Sequence, residues 1–299
     1  MKKLIALFII IFGNLLCYSQ NEEFTKQLDV EEQLLYTTVR IVVVKQDNGK
    51  LTPGTGTGFY FDFAESNSVN RPYIITNKHV VQNAVLGGFE LIQRDKNGQP
   101  DSLTQELLIP NFVDQWIPHP DPKVDLCIMP LAGLMNEAHK KNLDFYHKAF
   151  RSINIPSDLE WNSFNVIENV FIIGYPIGLV DTVNNIPLIR TGTTASPPFK
   201  DYNGKKEFVV DAGCFPGSSG SPVIYMPNPI KFSEKQKNLK DFLFLGVLYA
   251  GPTMKINGEI VVKQIATNVK PMSESHIPIN LGYIIKSDRI NDFRKIIDK

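Results

Sequence analysis

Short blocks in which apolar and polar residues alternate, or β-branched residues run together, recur along most of this chain. Thr37 to Lys45 alternates and is rich in β-branched residues, which predicts a strand. Asp47-Asn48-Gly49-Lys50 follows as a hairpin turn, because Asn and Gly accept the positive φ that a tight turn requires. Glu90 to Arg94 and Thr104 to Ile109 predict a second hairpin around Asn97-Gly98. Ser163 to Ile173, Pro187 to Thr194, Glu207 to Asp211, Pro222 to Tyr225, Phe242 to Ala250, Ile260 to Thr267 and Gly282 to Ile285 read as further strands. Helical spacing occurs in residues 20–35, with Phe24, Leu28 and Leu34 in phase, in Leu134 to Phe150, and in Ser287 to Ile297. Many short strands with turn signals between them predict an all-β protein.

Composition supports that picture and removes some functions. A hydrophobic content of 43% over 299 residues is ample for a core, and 20 glycines with 20 prolines suit many turns. The formal net charge is zero, so no basic surplus points to nucleic acid or to an anionic membrane surface. Lys2 and Lys3 followed by the apolar run Leu4 to Leu16 form a signal peptide, too short for a membrane span. Cleavage is expected after Ser19, leaving Gln20 first. Lipidation at Cys17 is the alternative, disfavoured by the bulky Leu16 before it. The mature protein is therefore expected to be exported, periplasmic or secreted, with residues 20–299 as its functional part.

The chemistry is concentrated in three stretches. Gly217-Ser218-Ser219-Gly220-Ser221-Pro222 lies between two apolar strands, and a serine flanked by glycines presents a hydroxyl beside free backbone N–H groups. The N–H groups of Gly217 and Ser219 are candidates for an oxyanion hole. Ile74 to Val81 is an apolar strand ending in a polar step and His79; in Val124 to Met129, Asp125 stands at the mouth of another. A serine hydroxyl needs a base to take its proton, imidazole suits that role near neutrality, and a carboxylate fixes the imidazole's tautomer. His79, Asp125 and Ser219 occur in that order. His119, between Pro118 and Pro120, competes weakly as base, and Asp121 competes with Asp125 as acid. Asp125 is preferred because it abuts the apolar run Leu126 to Met129. His139 and His147, in the internal helical stretch, are expected to face solvent. No Cys/His cluster has zinc spacing and no acidic loop has calcium spacing, so neither metal nor cofactor is predicted. Cys127 reads as a small hydrophobe inside a strand.

These motifs resemble the trypsin-like serine proteases of the chymotrypsin fold, especially the bacterial Deg-type branch. Gly54 to Phe59 resembles the family's glycine-rich strand before the histidine, and Ile173 to Gly178 its Gly-x-Pro-x-Gly turn. Leu245 to Gly251 resembles the strand lining the substrate cleft, and Gly282 to Ile290 the closing strand and final helix. The resemblance implies two six-stranded antiparallel β-barrels with an N-terminal helix, a helical interlobe insertion and a C-terminal helix. The barrels would span about residues 36–132 and 161–299, and the insert about 133–160. It implies serine endopeptidase activity on a protein or peptide substrate, with a pocket built from Gly213, Cys214, Ala250 and Gly251. Gly213, at the pocket base, carries no acidic group, so a small or medium apolar side chain is the expected preference. Ser218 stands where activated digestive members carry an aspartate, so activation by a new N-terminus is not expected. Ser221 replaces a family glycine, and no PDZ module is expected. Two other readings remain: a catalytically silent peptide-binding relative, and a non-proteolytic acyl hydrolase using the same groups.

Overall fold

The computed structural model describes residues 28–64, 70–227, 239–259 and 272–298. The expected signal peptide, half of the first predicted helix and the strand predicted at Ile260 to Thr267 lie outside them. Helix α1 (Val30–Leu34) is a single turn, closed by a capping box in which Asp29 accepts from the Glu32 N–H and the Glu32 side chain reaches back. The first lobe contains β1 (Thr38–Asp47), β2 (Lys50–Asp62), β3 (Pro72–Thr76), β4 (Ala84–Arg94), β5 (Pro100–Pro110), β6 (Ile117–Pro118), β7 (Cys127–Pro130) and β8 (Phe150–Arg151), with α2 (Lys78–Val81) between β3 and β4. Asn48 and Gly49 both have positive φ in the β1–β2 hairpin, the geometry its sequence predicts.

The first lobe differs from the expected closed barrel. Its strands run in the order β5-β4-β1-β2-β3-β7-β6, with β8 parallel to β2, and among the described residues the ladder does not close. The physical cause lies between the two edges. Asn111 turns the chain at φ 51, a 3-10 turn covers Phe112–Gln115, and β6 is two residues long with Pro118 unable to donate. The second lobe is a closed barrel: β9 (Asn169–Gly174), β10 (Leu188–Thr194), β11 (Glu207–Asp211), β12 (Pro222–Tyr225), β13 (Leu243–Ala250) and β16 (Leu281–Lys286), with hairpin β14 (Thr253–Glu259) and β15 (Met272–Pro278) projecting between β13 and β16. The molecule is mostly β, with one closed six-strand barrel and a second large sheet.

Between the lobes the helix is shorter than its sequence predicts. Helix α3 (Ala132–Lys140) ends before Asn142, which has φ 58, and α4 (Asp158–Ser163) starts at a Ser157–Glu160 capping box. Residues 144–146 instead extend the first sheet, with Arg94 N–H donating to Asp144 O and Tyr146 N–H to Ile92 O. This also corrects the reading of His147. It lies outside α3, partly buried, with its ring 4.8 Å from that of Tyr60, and burial pushes its imidazole pKa down. His139 is exposed on α3.

The second half of β2 and strands β3 and β7 are largely apolar on both faces because both faces are covered. Tyr60, Ile74, Cys127 and Met129 enter the core of the first lobe. Phe59, Phe61, Ile75 and Ile128 face the other way and meet Ile173, Ile224, Phe244, Val247 and Ile285 of the second. Phe150 and Phe244 stack at 4.9 Å across this seam, and Ile290 and Phe293 of the C-terminal 3-10 turn, followed by α5 (Arg294–Ile297), close it. A third cluster, including Val170, Ile172, Phe208, Val210 and Leu245, fills the closed barrel. No helix among the described residues is long and apolar enough to cross a membrane.

Candidate active site

His79 lies on α2, a single turn pinned by Val80 and Val81 in the core, so the imidazole beside them is turned outward. Asp125 immediately precedes the buried Leu126 and strand β7, and its backbone oxygen accepts from Asn77 Nδ2 at 2.8 Å. The two side chains meet. His79 Nδ1 is 2.5 Å from Asp125 Oδ2, and the His79 N–H donates to Asp125 Oδ1 at 3.1 Å. Burial works to raise the Asp125 pKa, but the hydrogen bonds and charge of His79 outweigh it and hold the carboxyl below its ordinary value. An ionised carboxylate at Nδ1 fixes that nitrogen as the donor and leaves Nε2 as the acceptor of the neutral ring.

Ser219 sits in a loop shaped by two glycines with positive φ, Gly217 at 86° and Gly220 at 89°. A side chain on either would collide with backbone: Tyr175 O lies 2.6 Å from a Cβ position at Gly217, and Thr57 O blocks the one at Gly220. Inside the loop the Ser218 N–H donates to Phe215 O at 3.0 Å, the Gly220 N–H to Leu248 O at 2.8 Å and the Ser221 N–H to Ser218 O at 3.1 Å. Among the described residues the N–H groups of Gly217 and Ser219 donate to no protein acceptor. They are the two donors singled out by sequence as an oxyanion site. Ser219 is half-buried, and no hydrogen bond joins it to His79 among the described residues.

Thr57 ties this loop to the lobe that carries His79, a role its sequence position does not announce. Its buried hydroxyl donates to Gly217 O at 3.0 Å and accepts from the Tyr175 N–H at 3.1 Å and from Ser221 Oγ at 3.3 Å. Its N–H donates to Ser219 O at 2.9 Å, and its carbonyl accepts from Thr76 Oγ1 at 2.7 Å. Ser221, read from sequence as a mild replacement of a glycine, is a fully buried partner in this network. Ser218 is buried as well, and its hydroxyl accepts from Arg190 Nη2 at 3.1 Å.

Beside Ser219 opens a cavity of about 500 Å³ lined by Cys214, Phe215, Pro216, Ser218, Leu248, Ala250, Gly251 and Thr253. Cys214, Ala250 and Gly251 line this cavity, and Gly213 lies next to the lining with the Phe215 ring over it. A Cβ on Gly282 would come 2.5 Å from Cys214 Sγ, so the absent side chain there makes room for the thiol. Cys127 and Cys214 are both free thiols, and burial pushes both thiol pKa values up. Neither competitor for a triad role joins this group. Asp121 pairs with Arg289 at 2.8 Å, and His119 is enclosed near Asp292 and Phe293.

A family model described as a trypsin-like peptidase domain matches residues 56–226, a span that runs from the glycine-rich part of β2 past Ser219. No curated protein matches the chain.

Proposed function

The chain belongs to the trypsin-like peptidase family, and from that premise we propose that it is a serine endopeptidase working through His79, Asp125 and Ser219. The observation that carries the reading is the His79–Asp125 hydrogen bond at Nδ1, which leaves Nε2 to receive a proton. Ser219 Oγ attacks the scissile carbonyl carbon while its proton passes to His79 Nε2. The N–H groups of Gly217 and Ser219 hold the negative oxygen of the tetrahedral intermediate. His79 then gives the proton to the leaving amine, and an acyl-enzyme remains on Ser219. Water, deprotonated by the same imidazole, releases the acid product. Asp125 stays ionised throughout and stabilises the imidazolium.

Activation by a new N-terminus is not part of this reading. The position before the nucleophile is Ser218, whose hydroxyl is already engaged by Arg190 from within the fold. Exported protein beginning near Gln20 should be active without a further cut, and N-terminal sequencing of secreted active enzyme checks this. The decisive experiment is labelling with a fluorophosphonate, followed by peptide mapping. The label should sit on Ser219 and vanish in Ser219→Ala. A folded wild-type protein that takes no label would leave the silent peptide-binding reading standing; one that labels but cleaves only esters would favour the acyl hydrolase.

A further inference from the structure

Arg190 is a partly buried cation with two buried, unused donor nitrogens. It lies on β10, opposite Ile172 of β9, and points its guanidinium beneath the loop that carries Ser219. Nη2 donates to Ser218 Oγ, but among the described residues Nε and Nη1 are buried without a hydrogen-bond partner. Among the described residues no carboxylate pairs with it, whereas Arg40, Arg71, Arg94, Arg151 and Arg289 each have one. A guanidinium removed from water without a counter-charge is costly, and folds that keep one generally give it an anion. Desolvation lowers its pKa, with Cys214 acting in the opposite direction, which agrees with a charge still lacking its anion.

The position of the unused donors says where that anion would come from. Ser218, the residue that Nη2 touches, lines the cavity beside Ser219, and so does Cys214. Nη1 lies 3.7 Å from where a Cβ would stand on Gly213. A larger side chain at position 213, next to the cavity-lining Cys214, would crowd the guanidinium. The other nearby group is the ring of Phe215, 3.0 Å from the same Cβ position and 41% exposed, so it has room to swing aside.

Resting on the proposed peptidase reading, we infer that Arg190 forms the charged floor of the primary specificity pocket, and that the enzyme cleaves after acidic residues, glutamate or aspartate. The substrate carboxylate would approach past Gly213 and meet the end-on edge of the guanidinium, where Nη1 has no partner and Nη2 has a second N–H besides the one given to Ser218. Planar guanidinium suits a carboxylate because two parallel N–H groups meet two oxygens. An uncharged isostere leaves those donors unpaired again, which is how a polar pocket discriminates strongly between near-identical side chains. This replaces the expectation of a small apolar preference. That expectation weighed Gly213, Cys214, Ala250 and Gly251, none of them charged, while the charge arrives from another strand.

The test is a set of quenched peptides identical except at the residue before the scissile bond, carrying Glu, Asp, Gln, Asn, Ala or Lys, with fluorophosphonate labelling run in parallel. Wild-type kcat/KM should favour Glu over Gln and Asp over Asn by at least about tenfold. Arg190→Lys should retain an acidic preference, and Arg190→Glu should move the preference towards Lys. Labelling with equal rates for Glu and Gln would overturn the inference and leave the peptidase reading intact. A uniform loss over all six peptides in both variants would also overturn it, because Arg190 would then only brace Ser218. Wild-type protein that neither labels nor cleaves would remove both. If Arg190→Glu fails to fold, the wild-type Glu/Gln ratio decides alone.

Discussion

His79 and His119 each lie within reach of a carboxylate, but the protein holds them in opposite ways. The His79 side chain is 45% exposed and has one nitrogen engaged, Nδ1, by Asp125. The His119 side chain is 0% exposed and has both nitrogens engaged: Nδ1 accepts from the Asp121 N–H at 3.0 Å, and Nε2 donates to Arg289 O at 3.0 Å. Burial is the largest influence on His119 and pushes its pKa down, with Asp121, Arg289 and Asp292 around it. A base must have a free lone pair that substrate can reach. His119 has spent both nitrogens on the backbone and works as a strut between the loop before β7 and the C-terminal turn. The difference between the two lies in what occupies the second nitrogen, not in whether an aspartate is near.

Four experiments would break or sharpen that contrast. The largest effect belongs to the group that the free Nε2 of His79 is assigned to serve. Ser219→Ala, and almost equally His79→Ala, should lower kcat by about five to six orders of magnitude, with the double variant little worse. Retention of a tenth of wild-type turnover in either, measured on a protein substrate, would end the assignment. Asp125→Asn should cost about three to four orders of magnitude by favouring the wrong tautomer. If Asp121→Asn proved the more damaging substitution, the roles of the two carboxylates would be reversed.

Smaller effects are expected around His119, in stability and not in rate. His119→Ala should leave the fluorophosphonate reaction in place and lower unfolding free energy by about 1–3 kcal/mol, through the two backbone groups it strands; chemical denaturation measures this. Smallest is the pH effect. The folded state keeps this imidazole neutral, while the unfolded chain takes a proton at the ordinary histidine value. Its contribution to stability is complete above that value and lost as pH falls below it. Denaturation midpoints at about pH 7 and pH 5 should therefore differ less in His119→Gln than in wild type. An identical difference in both would show that His119 is not held neutral.

The strand blocks and the three motif stretches were legible because each depends on neighbours in sequence. β11 and β12 begin and end where their apolar blocks do, and Asn48-Gly49 and Asn97-Gly98 make the turns that their residue types require. What escaped depends on partners far along the chain. The part of Arg190 is written in Gly213 and Ser218, and that of Thr57 in Gly217, Tyr175 and Ser221. The open edge of the first sheet was missed because a two-residue strand ending in proline carries no period to read. The stretch Leu134 to Phe150 looks helical throughout, yet beyond Lys140 the side of β4 that β1 leaves unpaired at Ile92–Arg94 claims the backbone of residues 144–146.

The bonds of Thr57 also bear on time. Gly217 and Ser221 are separated from it by 160 and 164 residues, so most of the chain must be in place before the serine loop has anything to lean on. Contacts of such range form late, after shorter loops have closed. The expected order of events is therefore that both β-lobes gain protected amides before the segment from Phe215 to Ser221 does, which pulsed hydrogen exchange during refolding can resolve. A hydrolase assembled in that order is harmless while incomplete: its nascent or half-unfolded forms would possess an imidazole and a carboxylate but no nucleophile able to use them.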